Sequence, residues 1–311
     1  MGVCIMKIRK IQWAIALSVL INAGISLFPG LAKAEEVTMS LNGMTLNGNL
    51  ELADGKSLED GIILITHGTL SHNKTEIITT LQSLFLERSL SSLAINLSLG
   101  LDNRHGNFDC ARPIDHRHTD AIDEIAGWVG WLEKKGTDSI LVLGHSRGGN
   151  QTAWYLADNN NPIVRGGVLI APATWDYAKV AKNYNKRYEK RLSVLLEQMK
   201  MLVSTGKGNE MIQNVDFLYC RNATVSARSF VSYYQDNPMK DTPRTLARVK
   251  KPVLVIAASE DQVVPDLVEK MAKSSLPGVR FQVIDGADHF FRDFYAEDIV
   301  DLTEDFMKSL P

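Results

Sequence analysis

The chain has 311 residues, 45% of them hydrophobic and 23% charged, with a formal net charge of −2 and a sequence pI near 6.4. Those fractions fit an ordinary globular protein and exclude wholesale disorder, collagen-like repeats and a multi-pass membrane protein. A weakly acidic balance lacks the basic stripe that nucleic-acid binding asks for, and three cysteines are too few for a disulfide scaffold.

The first residues read as an address. Lys7, Arg9 and Lys10 precede an apolar stretch from Ile11 to about Phe28, Pro29-Gly30 breaks any helix, and Ala32-Lys33-Ala34 puts small residues at −3 and −1. This pattern predicts a secretory signal peptide over residues 1–34, cut after Ala34, and therefore a periplasmic or secreted protein with no stable membrane span after cleavage. The alternative is an uncleaved single-span anchor, because the run approaches the roughly 20 residues that cross a bilayer. Cleavage would remove four basic residues (Lys7, Arg9, Lys10, Lys33) and no acid, taking the formal charge from −2 to −6. Cys4 would leave with the signal. Cys110 and Cys220 remain, an even number in an oxidising compartment, either as one disulfide or as two free thiols.

In the mature chain, Val37–Leu41 alternates, Asn42-Gly43 is a two-residue turn and Met44–Leu52 alternates again, which predicts an antiparallel hairpin. Beyond Asp54-Gly55 the pattern changes to short continuous apolar runs: Ile62–Ile65, Ser92–Ile95, Ile140–Leu143, Val168–Ile170, Val253–Ile256 and Phe281–Ile284. Amphipathic stretches lie around Glu76–Arg88, Ala121–Lys134, Asn150–Asp158, Asp266–Lys273 and Ala296–Leu310. Strands apolar on both faces must be covered on both faces. The fold class is therefore α/β, a mainly parallel sheet with helices on both sides. From about Trp175 to Lys250 no strand-like run is visible and the text is helical, so the interval reads as a helical cap insertion over the sheet's C-terminal edge, where such proteins place ligand sites. Its stretch Lys179–Arg191 is basic and tyrosine-bearing, but in an acidic chain it reads as a solvated helix face and not as a nucleic-acid surface.

The chemistry-bearing segment is Ile140-Leu141-Val142-Leu143-Gly144-His145-Ser146-Arg147-Gly148-Gly149, an apolar strand that ends in G-H-S-R-G and runs into a helix. A serine hydroxyl is a poor nucleophile until it is exposed on a turn and given a base. A sharp strand-to-helix turn exposes it, and Gly144 and Gly148 leave room for the crossing. A base and an orienting acid are then required, in chain order Ser, acid, His. Val253–Ala257 leads into Asp261, and Phe281–Ile284 leads into His289. His289 is the candidate general base. Asp261 is the candidate orienting acid, with Glu260 as its rival; Asp288 reads as a loop hydrogen-bonder and His145 as a residue beneath the pocket. For the oxyanion hole, Ile62–Thr66 ends in His67-Gly68-Thr69-Leu70. The backbone N–H of Thr69 is the preferred first donor, Leu70 the second choice, and the N–H of Arg147 supplies the other donor.

On these motifs the chain resembles an α/β-hydrolase-fold serine hydrolase, esterase- or lipase-like, over nearly all of its mature length. The resemblance rests on H-G after the third strand of the main sheet, G-H-S-R-G-G after the fifth, D-x-V-V-P after the seventh and G-x-D-H-F after the eighth. It implies a cap between the sixth and seventh strands, a small-molecule ester-type substrate, and neither metal nor organic cofactor. Serine at the elbow argues against the branches that use an aspartate nucleophile. Two other readings stay open: a non-catalytic binding protein that retains the fold, and a cofactor-free acyltransferase or haloperoxidase-like enzyme on the same triad. Asp115-His116-Arg117-His118-Thr119-Asp120 invites a metal reading. On a helix, however, His116 and His118 would face different ways, and a helix start near Thr119 or Asp115 accounts for the acids as well. The loop Leu99–Pro113, with Arg104, His105, Asp109, Cys110 and Arg112, is expected at the pocket mouth, where a Cys110–Cys220 bridge would tie it to the cap.

Overall fold

The computed structural model describes residues 33–310. The signal segment read over residues 1–34 lies outside the described residues except for Lys33 and Ala34, which open the first strand. No helix among the described residues is long and apolar enough to cross a membrane.

The two alternating stretches form β1 (Lys33–Leu41) and β2 (Met44–Leu52), paired antiparallel through Asn42 and Gly43, both at positive φ (52° and 79°). Consecutive left-handed residues match the twist of a hairpin, and Asn-Gly tolerates them best. The apolar runs become β3 (Ile62–Thr66), β4 (Ser92–Asn96), β5 (Ile140–His145) and β6 (Val164–Ile170). Beyond the cap the sheet resumes with β9 (Val253–Ala258) and β10 (Val279–Ile284), the seventh and eighth strands of the main sheet, joined through the short α8 (Leu267–Ala272). The spatial order is β1-β2-β4-β3-β5-β6-β9-β10, parallel from β4 to β10.

Period-two alternation sends the side chains of one strand into two different cores. Ile62 and Leu64 of β3 join Ile140 and Val142 of β5 and Val253 and Val255 of β9 on one face. There they meet α2 (Asp120–Lys134) and α3 (Arg147–Asp158) through Ile125, Trp128 and Ala153. Ile63, Ile65, Leu141, Leu143, Leu254 and Ile256 point the other way, onto α1 (Glu76–Glu87) and α9 (Tyr295–Lys308) through Leu81, Phe85, Ile299 and Phe306. Each fully buried aliphatic or aromatic side chain contributes roughly 1.5–3 kcal/mol. Because both faces are covered, the strands show no polar side in the sequence.

The interval between β6 and β9 differs from its expectation. It contains α4 (Tyr177–Tyr188) and α5 (Leu192–Ser204), but then an antiparallel hairpin, β7 (Met211–Phe217) with β8 (Cys220–Ser226), before α6 (Ala227–Tyr234) and α7 (Thr242–Leu246). The cap is therefore helical with a two-stranded element, not helical throughout. The hairpin escapes a reading by periodicity because its register shifts twice and Asn214, Leu218 and Asn222 sit at positive φ, so alternation never runs far enough to register. The cap has a core of its own, built on Tyr184, Leu196, Phe217, Phe230 and Tyr234. The loop after β4 is joined to it: Ile114 pairs with Val225, and Cys110 is disulfide-bonded to Cys220.

That bond closes a sequence separation of 110 residues. Constraining the unfolded chain over such a loop is worth roughly 2–4 kcal/mol. The double variant Cys110→Ser/Cys220→Ser should lose about that much stability in a urea titration without reductant. An unchanged midpoint would mean that the bridge does not hold the cap to the loop.

Candidate active site

Ser146 stands between β5 and α3 with φ 57° and ψ −123°, a strained conformation for a residue with a side chain. The turn is held from both sides, since Ser146 N–H donates to Ile170 O (2.9 Å) and Ser146 O accepts from Ala173 N–H (2.9 Å). The two glycines are required by space. A Cβ on Gly144 would meet Gly148 O and Thr152 Oγ1 at 2.5 Å, and one on Gly148 would run into the carbonyl oxygen of His67. The N-terminus of α3 therefore lies against the end of β3, its first N–H groups directed out of the turn where negative charge is favoured.

The ends of β5, β9 and β10 share one edge of the sheet, and the loops there bring three distant residues together. Ser146 Oγ is 3.0 Å from His289 Nε2, and His289 Nδ1 is 2.8 Å from Asp261 Oδ2. All three are shielded from bulk water, at 9%, 4% and 5% exposure. The other oxygen of Asp261 accepts the backbone N–H groups of Val263 (2.7 Å) and Val264 (2.8 Å). Burial alone pushes this carboxyl up, but the His289 bond and the two amides outweigh it and hold the group below the ordinary aspartate value. An ionised carboxylate only accepts, so His289 carries its proton on Nδ1, and Nε2 is left to accept from the serine hydroxyl. Such an arrangement can take the hydroxyl proton as the oxygen attacks and return it to a leaving group. Glu260, the rival acid, is exposed, and the partly exposed Asp288 accepts from Phe290 N–H and Arg292.

Thr69 and Arg147 are also adjacent. Arg147 Nε donates to Thr69 Oγ1 at 2.9 Å, so one side chain fastens the loop after β3 to the start of α3. Among the described residues the backbone N–H groups of Thr69, Leu70 and Arg147 have no recorded acceptor. A Cβ on Gly68 would come 3.3 Å from Ser146 Cβ, so this loop passes directly over the serine.

Further side chains support these groups, His145 beneath the pocket as expected among them. His145 donates from Nε2 to the carbonyl of His289 (2.9 Å); burial first, then His289, brings its pKa down to about 4, so it positions the neighbouring loop as a neutral ring. His67 accepts Leu97 N–H at Nε2 (3.1 Å) and faces Gly68 O with Nδ1 (2.9 Å), a neutral tautomer that burial enforces by lowering its pKa to about 3. Arg104, expected at the pocket mouth, is instead buried beneath it. It donates to Leu97 O, Gly106 O, Ser71 O and Asn96 Oδ1, pinning the loops after β3 and β4 together.

His116 and His118 lie before α2, not on it, and both rings point inward. His116 Nδ1 bonds the Tyr233 hydroxyl (2.9 Å); His118 lies between Asn150 Oδ1 (3.2 Å) and Arg147 Nη1 (3.3 Å). Asp115 forms a bidentate pair with Arg228 on the surface (2.8 and 2.6 Å). Among the described residues no three His, Cys, Asp or Glu side chains stand as a metal-holding group.

Ser146 sits where two hollows meet. The larger, about 550 Å³, is lined by Leu70, Ile77, Phe108, Phe290 and His289, with Cys110 at its wall. The smaller, about 270 Å³, runs under the cap. Thr69, Ser146, Tyr219 and Val263 line both.

Comparison with known proteins adds to this geometry. No curated protein matches the chain by sequence. Solved structures do match by fold. Est1E from Butyrivibrio proteoclasticus is similar with a TM-score of 0.61 at 14% identity, over 88% of this chain and 99% of that one. The α/β hydrolase GrgF from Penicillium sp. sh18 is similar with a TM-score of 0.63 at 16% identity, over 89% and 98%. A Paleococcus ferrophilus monoacylglycerol lipase is similar with a TM-score of 0.55 at 14% identity, over 89% and 99%. The family model described as the alpha/beta hydrolase fold matches residues 101–294, from the loop after β4 to the turn before α9. The chain belongs to the α/β-hydrolase fold family.

Proposed function

We propose that this protein is an exported serine hydrolase that cleaves carboxylic esters through an acyl-enzyme on Ser146. The observation that carries the reading is the continuous line Asp261–His289–Ser146, at 2.8 and 3.0 Å, on a strained strand-to-helix turn. Ser146 Oγ attacks the acyl carbon while its proton passes to His289 Nε2. Asp261 keeps the proton on Nδ1 and stabilises the imidazolium that forms. The negative oxygen of the tetrahedral intermediate is held by the N–H of Arg147 and that of Thr69, each such donor worth roughly 10²–10³ in rate. Collapse breaks the carbon–oxygen bond, and the alcohol leaves with the proton from His289. Water, deprotonated by the same imidazole, then releases the acid and restores the hydroxyl.

Esters are favoured because similar structures carry the names esterase and lipase. Export rests on the basic, apolar and A-x-A order of residues 1–34, and the Cys110–Cys220 bond suits an oxidising compartment. Purified protein lacking residues 1–34 should hydrolyse 4-nitrophenyl esters without added metal or cofactor, fastest for the acyl length that fits the hollows beside Ser146. Absence of turnover over a series from acetate to laurate would favour a binding protein on this fold. Transfer to an added alcohol in preference to water would favour an acyltransferase.

A further inference from the structure

The smaller hollow has an unusual lining. Five tyrosines (Tyr184, Tyr188, Tyr219, Tyr233, Tyr234) and Trp175 give it aromatic faces; among the described residues its only charged lining residues are Arg147 and Arg187, and no Asp or Glu lines it. Four of the five tyrosine hydroxyls are already engaged. Tyr184 and Tyr188 donate to the carbonyls of Asp216 and Leu218, Tyr234 accepts Leu218 N–H, and Tyr233 bonds His116. Acids bonded to its lining are engaged as well: Asp216 pairs with Lys190, Asp266 with Lys179 and Lys270, Asp241 with Lys270 and Asp261 with His289, while Asp236 accepts the Trp175 indole N–H (2.8 Å).

Among the described residues Arg147 is therefore a cation without a counter-ion. It is half-buried, and among the described residues no carboxylate lies within ion-pair distance of it. Yet its guanidinium is held in place: Nε donates to Thr69, Nη1 to the neutral ring of His118, and the plane lies 5.4 Å from the centre of the Tyr233 ring. His118 is itself fixed through Asn150, which donates to Met239 O and Thr242 Oγ1. Among the described residues Nη2 finds no hydrogen-bond partner. A surface arginine samples many rotamers in water; this one is pre-ordered, partly desolvated and aimed into a space next to the nucleophile. Withdrawing a cation from water without a counter-ion is costly, and a guanidinium held at Nε and Nη1 with Nη2 still free to donate suits a carboxylate oxygen.

We propose that the hollow under the cap is an anion-binding subsite, and that the ester cleaved at Ser146 carries a carboxylate on the half entering it. Arg147 is its principal ligand, Arg187 (exposed at the mouth, Nη1 on Leu218 O and stacked near Tyr219) a secondary one, and the tyrosine faces cover the intervening flat or apolar skeleton. The inference deepens the serine-hydrolase reading and rests on it.

The test is a ratio of kcat/KM within two pairs of substrates. Mono-4-nitrophenyl adipate against its methyl ester puts the charge on the acyl side. 4-Acetoxybenzoate against its methyl ester puts it on the alcohol side. The wild type should favour the anionic member of at least one pair by roughly tenfold to a hundredfold at low salt. The preference should shrink toward about 0.5 M NaCl, because the site opens to solvent. Arg147→Gln should bring the ratio to one or below, and Arg187→Gln should reduce it less. Any loosening of the oxyanion loop by Arg147→Gln affects both members and cancels in the ratio. If that variant does not fold, the wild-type ratios and their salt dependence still decide. Ratios at or below one in both pairs, or a preference untouched by Arg147→Gln, would overturn the subsite. An enzyme that hydrolyses the neutral esters but shows those ratios loses only this inference; one that hydrolyses none of the four and takes up no active-site phosphonate loses the serine-hydrolase reading.

Discussion

Ser146→Ala should lower kcat/KM on every ester the protein turns over by about 10⁴–10⁶-fold, with its melting temperature little changed. The hydroxyl's one recorded side-chain bond is to His289 Nε2, while the elbow is held by main-chain groups of Ile170 and Ala173 that alanine leaves in place. Alanine removes the nucleophile and leaves the turn intact. His289→Ala should cost about as much, and the double variant little more than either, because a base without a nucleophile and a nucleophile without a base are equally idle. Multiplicative losses in the double variant would mean that the two residues act separately.

Asp261→Asn should cost about 10⁴-fold in kcat and leave the protein folded. The introduced amide could still accept Val263 and Val264 N–H through its carbonyl oxygen, as Asp261 Oδ1 does at 2.7 and 2.8 Å. Its NH₂ group would face His289 Nδ1, however, where the carboxylate now accepts at 2.8 Å. The ring would turn to the other tautomer, put its proton on Nε2 and face the serine hydroxyl as a donor. The serine would then have no base. Asp288→Asn, one residue from His289 but partly exposed and bound to Arg292, should stay within about twofold of wild type and serves as the control for a loop effect. A larger fall at Asp288 than at Asp261 would reverse the assignment of the acid.

Much of the sheet was legible because each central strand is apolar on both faces, and a continuous run such as Ile62–Ile65 or Val253–Ile256 has few other uses in a chain of this composition. The elbow was legible because its glycines are imposed by contacts local to the turn: the space a Cβ would need at Gly144 is taken by Gly148 and Thr152. Asp261 and His289 could be picked out because strand ends on one edge of a parallel sheet are neighbours whatever their separation in the chain.

What escaped depends on contacts between segments that the sequence does not pair. The β7–β8 hairpin is held by Ile114 and Cys110 from the other side of the pocket, and left-handed residues interrupt its own alternation. Arg104 reads as a surface arginine until Leu97 O, Ser71 O and Asn96 Oδ1 close around it. His116 and His118 look like ligands in a line of text, but in three dimensions His116 is held through Nδ1 by Tyr233, its buried Nε2 left without a partner, and His118 is held by Asn150 and Arg147. Polar side chains become interpretable only when their partners are known, and for these two histidines the partners lie 29 to 117 residues away.

The most direct measurement is the intact mass of the protein after exposure to a fluorophosphonate, with the modified peptide sequenced. One adduct per chain is expected, on a peptide containing Gly144-His145-Ser146-Arg147, absent from Ser146→Ala and from heat-denatured protein. An unmodified wild type, or an adduct that persists in Ser146→Ala, would contradict it.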